Sequence, residues 1–302
     1  MSYQPIGEKL ASGKTVVLDG AIGTEILRRQ VTWADHQLAN RPEVVRSIHE
    51  DYIRAGADVL STNSFQLCRR ALYNHFRDDA HRRHIGARDL DERADKLLAA
   101  SVRLAMEARE RAKAGRPVAI AAAVTTLEWC FRPDLAPSAE QAKREYKEIF
   151  QVMKDAGADL VLLETVNSIG EARAALEVAK GLGLPCWVSF VCDSQGALFT
   201  GETMAQAVAT LEPLGADAIL VNCAPPDDIR AGIRELAKTA KVPFGAYPHI
   251  GRFDPPEWMF TTEYPPARYR EEAAGWRQQG ARILGGCCGT TPDHIAALTT
   301  IP

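Results

Sequence analysis

Two adjacent cysteines, Cys287 and Cys288, stand between Gly285-Gly286 and Gly289. Neighbours on a strand normally face opposite sides. The glycines free the backbone to turn both sulfurs toward one point, whereas a disulfide between neighbours would be strained. A third cysteine, Cys223, closes the apolar run Ala218-Ile219-Leu220-Val221-Asn222. Three thiolates suit zinc, at about 2.3 Å per sulfur, and leave a fourth position open. The competing assignment is three buried small apolar side chains, because cysteine is commonly buried. A zinc ion on three thiolates can take a substrate thiol and hold it as thiolate near neutral pH, against a free-thiol pKa of roughly 8.5. Sulfur-rich ligation keeps that thiolate nucleophilic, while a three-histidine site would suit water activation. The expected chemistry is therefore alkyl transfer to sulfur, with the zinc-bound substrate thiolate as the catalytic group and no separate general base. The alkylated product, a neutral thioether, is a poorer ligand and leaves.

Other polar residues also close apolar runs. Glu164 ends Leu160–Leu163 and can hold an α-ammonium group, or be a solvated or salt-bridged strand-end carboxylate. The turn Asp19-Gly20-Ala21-Ile22-Gly23-Thr24 offers backbone N–H groups to an α-carboxylate, as helix starts do, or is an ordinary turn with a capping Asp. Asn63, Cys192 and His249 close runs too. Cys192 is expected in the interior or wall, and His249 as a hydrogen-bonding wall residue; either could approach the metal. Cys186 is expected in the core, and Cys68 and Cys130 to be incidental loop residues.

The elements that must position these groups are marked by a repeated phrase. Ala55-Gly56-Ala57-Asp58, Ala156-Gly157-Ala158-Asp159, Leu214-Gly215-Ala216-Asp217 and Gln279-Gly280-Ala281-Arg282 each precede a short apolar run. A helix ends, glycine takes the left-handed cap, and a strand buried on both faces follows. Four further strands fit Thr15–Asp19, Val118–Val124, Pro185–Cys192 and Pro243–His249. Helices fit Pro42–Ala55, Arg88–Lys113, Ser138–Ala156, Asp227–Ala240, Ala267–Gln279 and Pro292–Thr299. Eight strands alternating with helices predict an α/β fold, a single (β/α)8 TIM barrel. A dinucleotide-binding sheet is the rival, but Asp19–Thr24 lacks the Gly-x-Gly-x-x-Gly pattern. Two connections, 65–91 and 125–137, are long enough to carry specificity.

The 302 residues carry a formal net charge of −3, and no Pro/Gly/Ser-rich linker divides them. One domain, 1–302, is expected, with no nucleic-acid partner. No apolar run approaches the roughly 20 residues of a membrane span, and the N-terminus lacks a signal-peptide pattern. Seven cysteines are too sparse and odd in number for a disulfide scaffold. The expectation is a cytoplasmic protein meeting a small-molecule thiol acceptor and a methyl donor, with no membrane partner; a homo-oligomer is compatible with it.

The pieces Val17–Glu25, Ala55–Asn63 with Phe65, Leu163-Glu164-Thr165, Val221-Asn222-Cys223 and Gly285–Pro292 resemble, in order, the homocysteine S-methyltransferase family. That family includes betaine- and S-methylmethionine-dependent enzymes and the homocysteine module of cobalamin-dependent methionine synthase. The resemblance implies a barrel with zinc on Cys223, Cys287 and Cys288, and homocysteine held by Glu164 and by Asp19 with Gly20. The implied reaction is methyl transfer to homocysteine, forming methionine. Trp33 looks like the tryptophan of members that use sulfonium or betaine donors, where an aromatic face attracts a methylated cation. Asn63, Trp129 and His249 are further donor-side candidates.

Three segments depart from the family pattern: Val124–Trp129 after the third strand, Tyr247-Pro248-His249 at the seventh, and 65–91. All three are expected to border the donor. The chain ends just after its eighth helix, without folate or cobalamin modules or a betaine-type C-terminal arm. A small onium donor, S-methylmethionine or S-adenosylmethionine, is therefore favoured. The alternatives are a module working with a separate methyl-corrinoid or folate protein, a betaine-type donor and, more distantly, a zinc barrel hydrolase.

Overall fold

The computed structural model describes residues 3–31, 40–255 and 257–302. Eight parallel strands follow one another around a barrel: β1 (Val16–Val17), β2 (Val59–Ser61), β3 (Ala119–Val124), β4 (Leu160–Val166), β5 (Cys186–Phe190), β6 (Ala218–Asn222), β7 (Phe244–Tyr247) and β10 (Ile283–Leu284). β10 pairs with both β7 and β1, and a parallel bridge between Leu18 and Val59 joins β1 to β2. The expected (β/α)8 architecture is thus present.

Helices lie between the strands: α2 (Gly23–Arg28), α3 (Pro42–Ala55), α6 (Leu90–Ala112), α7 (Ala139–Asp155), α8 (Ile169–Gly181), α9 (Met204–Leu211), α10 (Pro226–Thr239), α11 (Pro266–Gln278) and α12 (Pro292–Leu298). The repeated phrase does what its glycines imply: Gly56, Gly157, Gly215 and Gly280 have φ of 104, 106, 88 and 109°. Its aspartates have a second role. Asp58, Asp159 and Asp217 each accept the N–H at the start of a neighbouring strand, from Val17 (2.8 Å), Ile120 (3.0 Å) and Cys186 (2.8 Å). A charged acceptor on a buried backbone donor fixes which strand lies beside which.

Two apolar layers result. Leu18, Ala121, Leu162, Trp187, Leu220 and Ile283 fill the interior, and a larger layer separates strands from helices. Helix α1 (Tyr3–Ala11), not expected from the sequence, packs Ile6 and Leu10 against the interior layer, and the Trp187 indole donates to Tyr3 Oη at 3.2 Å. Its apolar signal is a single i, i+4 pair.

The 65–91 connection was expected to be a loop and instead holds two short helices, α4 (Arg69–Tyr73) and α5 (Asp79–Ile85). Cys68 and Asp78 accept from the first turns, and Gly86 ends α5 at φ 81°. After β7 an unexpected antiparallel hairpin, β8 (Arg252–Asp254) and β9 (Glu257–Met259), stands on the same end of the barrel. Among the described residues no helix is long and apolar enough to cross a membrane.

Candidate metal centre and active site

Cys223 follows β6, and Cys287 and Cys288 follow β10, so all three leave the C-terminal ends of barrel strands, where such folds gather their chemistry. Their sulfurs lie within 4.8 Å of one another, and each side chain is half-buried. One ion about 2.3 Å from three tetrahedral sulfurs would set them roughly 3.8 Å apart, so the trio fits a metal site. Cys223 has φ 49°, an uncommon conformation for a non-glycine residue that swings its side chain out of the strand's alternation. Cys288 is the sulfur that ionises most readily: hydrogen bonds from Cys223 and Cys287 hold it well below the ordinary thiol range, and His249 helps.

The backbone around the trio is tied on every side. Gly286 N–H donates to Asp19 O (3.0 Å), Cys287 N–H to Pro248 O (2.9 Å), and Ile250 N–H to Cys288 O (2.8 Å). Thr290 Oγ1 donates to Cys287 O at 2.7 Å, and Thr24 Oγ1 accepts from Gly289 N–H at 2.8 Å. Gly289 has φ 86°, and a Cβ there would collide with Ile250 O. The glycines of the cysteine pair are thus required by close approach as well as by turning.

Asp19 is buried, and both of its carboxylate oxygens accept from Ser61, from the hydroxyl at 2.7 Å and the N–H at 2.8 Å. Burial pushes its carboxyl well above the usual range, and neighbouring Glu164 adds to the shift. Gly20 lies under Tyr52 and Thr290, where a Cβ would come within 2.8 Å of Tyr52 Oη. Glu164 stands on β4 near Cys288; burial, then the Cys288 charge, push its carboxyl up to about 7, with the Tyr247 hydroxyl pulling it back. Two further buried polar atoms near these strand ends, Thr125 Oγ1 and Asn167 Oδ1, have no hydrogen-bond partner among the described residues.

Asn222 went unassigned in the sequence, yet it organises this wall. Its Oδ1 accepts from Thr165 N–H (3.0 Å) and Ser189 Oγ (2.7 Å), while its Nδ2 donates to Thr165 Oγ1 (2.8 Å). Thr165 is itself left-handed, at φ 56°, beside an irregularity in the β4–β5 register. One buried amide therefore sets the residue after Glu164 and the residue before Cys223.

Other expectations sort clearly. His249 stands beside the trio, with its ring edge-on to Trp258 at 5.6 Å. Cys192 turns away to the Asp228 carbonyl (3.7 Å) and α10, outside the trio. Cys186 is core, as expected. Cys68 caps α4, and Cys130 is buried close enough to Glu164 and Cys288 for their charges to act on its thiol, so neither is incidental. Asn63 is half-buried just past β2, and Trp129 is exposed on the loop after β3. Trp33 lies outside the described residues. A cavity of about 340 Å³ opens on the outer wall, between α4, α6 and α7. The Arg69 and Arg70 charges lining it are paired with Asp95, Glu145, Glu148 and Glu128, so it carries no site.

Residues 16–301 match the profile described as homocysteine S-methyltransferase. The chain belongs to the homocysteine S-methyltransferase family. It is therefore a methyltransferase of a family that acts on homocysteine. Homocysteine S-methyltransferase 3 of maize is 28% identical over 95% of this chain and 90% of its own length. Methionine synthase of Mycobacterium leprae is 31% identical over 93% of this chain but only 24% of its own length. The metallated form of the Escherichia coli homocysteine methyltransferase MmuM superposes with a TM-score of 0.80 at 28% identity, covering 99% of each chain.

Proposed function

We propose that the protein transfers a methyl group from a small onium donor to the sulfur of homocysteine, giving methionine, with zinc as its metal. The supporting observation is the convergence of three cysteine sulfurs at the open end of the barrel. Cys223, Cys287 and Cys288 would hold the ion, and an all-sulfur set favours zinc over harder metals. When bound, zinc supplies one thing: it keeps an incoming thiol ionised at neutral pH.

The chain's own residues orient the acceptor. Glu164, close to Cys288, offers a carboxylate to the α-ammonium group, and Asn222 holds the backbone beside it. Asp19 is already engaged by Ser61, so its contribution is to fix the turn through Gly20 that would receive the α-carboxylate. The orphaned Thr125 Oγ1 and Asn167 Oδ1 are polar atoms that a zwitterionic ligand could satisfy. Displacement at the methyl carbon must be in line, so the donor has to approach from the side facing the sulfur. Trp129, Asn63 and His249 border that approach. An aromatic face attracts a methylated cation by about 0.5–2 kcal/mol.

A donor panel tests the reading. Purified zinc-loaded protein with homocysteine should form methionine from S-methylmethionine or S-adenosylmethionine. Turnover only with methylcobalamin or a methylated corrinoid protein would overturn the onium assignment.

A further inference from the structure

Two of the three segments that depart from the family pattern meet in space. Arg70, on α4 of the 65–91 connection, donates from Nη1 to Glu128 Oε1 at 2.8 Å. The same guanidinium grips Glu145 of α7 through two bonds, at 2.8 and 2.5 Å. Asn74 Nδ2 donates to the other Glu128 oxygen at 3.0 Å, and Gln66 Nε2 to the Glu128 carbonyl at 3.1 Å. All three charged side chains are largely shielded from solvent, with 17–24% of each exposed.

The residue after Glu128 is Trp129. It is exposed, and its ring lies 5.9 Å from Phe131, which lies 5.9 Å from Phe199 on the loop after β5. The residue after that is Cys130, buried beside Glu164 and Cys288, with its carbonyl held by Asn167 Nδ2. One short loop thus runs from an ion pair on the outer wall, through an exposed aromatic edge, to the wall of the metal centre.

We propose that Arg70 is a positioning residue for the methyl donor: by holding Glu128 against α7 it fixes the aromatic edge of Trp129, Phe131 and Phe199 beside the site where sulfur is methylated. This inference rests on the onium-donor reading above. Arg70 is the cation between two carboxylates, one on the loop and one on the helix. Without it Glu128 and Glu145 repel across a partly desolvated gap, and the loop moves outward with its aromatic edge. Glu164, Asp19 and the cysteine trio share none of the bonds made by Arg70, Asn74 and Gln66.

The experiment compares Arg70→Gln, Glu128→Gln and the double variant with the wild type. Donor and homocysteine KM values, S-methylmethionine binding by calorimetry, zinc content and amide exchange over residues 125–132 are measured. Arg70→Gln should raise donor KM and weaken S-methylmethionine binding by about tenfold, the scale of coupling between paired charges. Homocysteine KM and zinc content should not change, and exchange should quicken in 125–132 alone. The double variant removes the repulsion and should recover most of the loss. Glu128→Gln keeps the Arg70–Glu145 pair and should give a smaller donor defect, which serves if Arg70→Gln folds poorly. Unchanged donor KM and exchange in an active Arg70→Gln, or donor and homocysteine KM rising together, would overturn the clamp alone. A wild type that neither binds nor uses S-methylmethionine or S-adenosylmethionine removes the donor reading, and the clamp's role with it.

Discussion

Around the cysteine trio the chain is held mainly by its backbone, Gly286 on Asp19, Cys287 on Pro248 and Ile250 on Cys288, with the Thr24 and Thr290 hydroxyls added. Across the mouth, residues 125–132 are held by side chains: Arg70 and Asn74 on Glu128, Glu171 on Leu127 N–H, Asn167 on the Cys130 carbonyl. Backbone ties survive most substitutions and fix sulfur positions closely. Side-chain ties change with single substitutions. A metal centre needs the first kind of support, because ligand geometry tolerates little error. A surface that selects a donor can be built from the second kind and altered without disturbing the metal. Two of the three segments that depart from the family pattern meet on the side-chain-held side, whereas the third, Tyr247-Pro248-His249, belongs to the backbone-held side, where the Pro248 carbonyl accepts from Cys287 N–H.

The largest effect should come from the backbone-held side. Cys288→Ala or Cys223→Ala should lose the metal and lower turnover about a thousandfold or more, the several kcal/mol expected of a catalytic metal. Circular dichroism should still report a folded barrel, because strand order is set elsewhere by Asp58, Asp159 and Asp217. Full metal occupancy in either variant would erase the distinction between the two sides.

Glu164→Gln sharpens the comparison within the acceptor side. Losing a charge-assisted contact of about 1.5–3 kcal/mol should raise homocysteine KM roughly 10- to 100-fold, with zinc and donor KM unchanged. Metal loss there would mean that Glu164 supports the centre rather than the acceptor.

On the donor side, Trp129→Ala should raise donor KM by roughly 2- to 30-fold, the range of a cation–π contact. Steady-state kinetics with each substrate varied will separate this from a homocysteine effect, which should be absent.

The smallest effect on the chemistry should come from His49, in α3, which belongs to neither the cysteine trio nor the 125–132 loop. It is fully buried, neither ring nitrogen has a partner among the described residues, and burial lowers its pKa to about 4. The unfolded chain binds a proton below pH about 6.5 and the folded chain does not, so stability falls as pH drops from about 6.5 toward 4. The loss is about 3 kcal/mol. Urea titrations of wild type and His49→Leu at pH 7 and pH 4.5 should differ in their pH dependence, while turnover at pH 7 stays the same. Parallel pH dependence in the two proteins would remove this assignment.

Much of the barrel was legible in the sequence because helix caps are local. A glycine between Ala and Ala-Asp declares both a left-handed turn and the strand after it. The cysteines were legible because the glycines around Cys287 and Cys288 explain how neighbours can share a face. Asn222 was not, since its three bonds reach Thr165 and Ser189, distant in sequence and adjacent only once β4, β5 and β6 align. The place of Cys130 was hidden for the same reason: its loop is held at the mouth by ties to Asn167, Glu171, Asn74 and Arg70, all distant in sequence. Helix α1 offered too short a pattern, and α4 and α5 are stabilised by capping and ion pairs, with only Leu72 buried between them.

X-ray absorption at the zinc edge tests the central claim most directly. Zinc-loaded protein should show about three sulfur neighbours near 2.3 Å, and a fourth at a similar distance once homocysteine is added. A shell dominated by nitrogen or oxygen, or one that does not gain sulfur on adding homocysteine, would contradict the account.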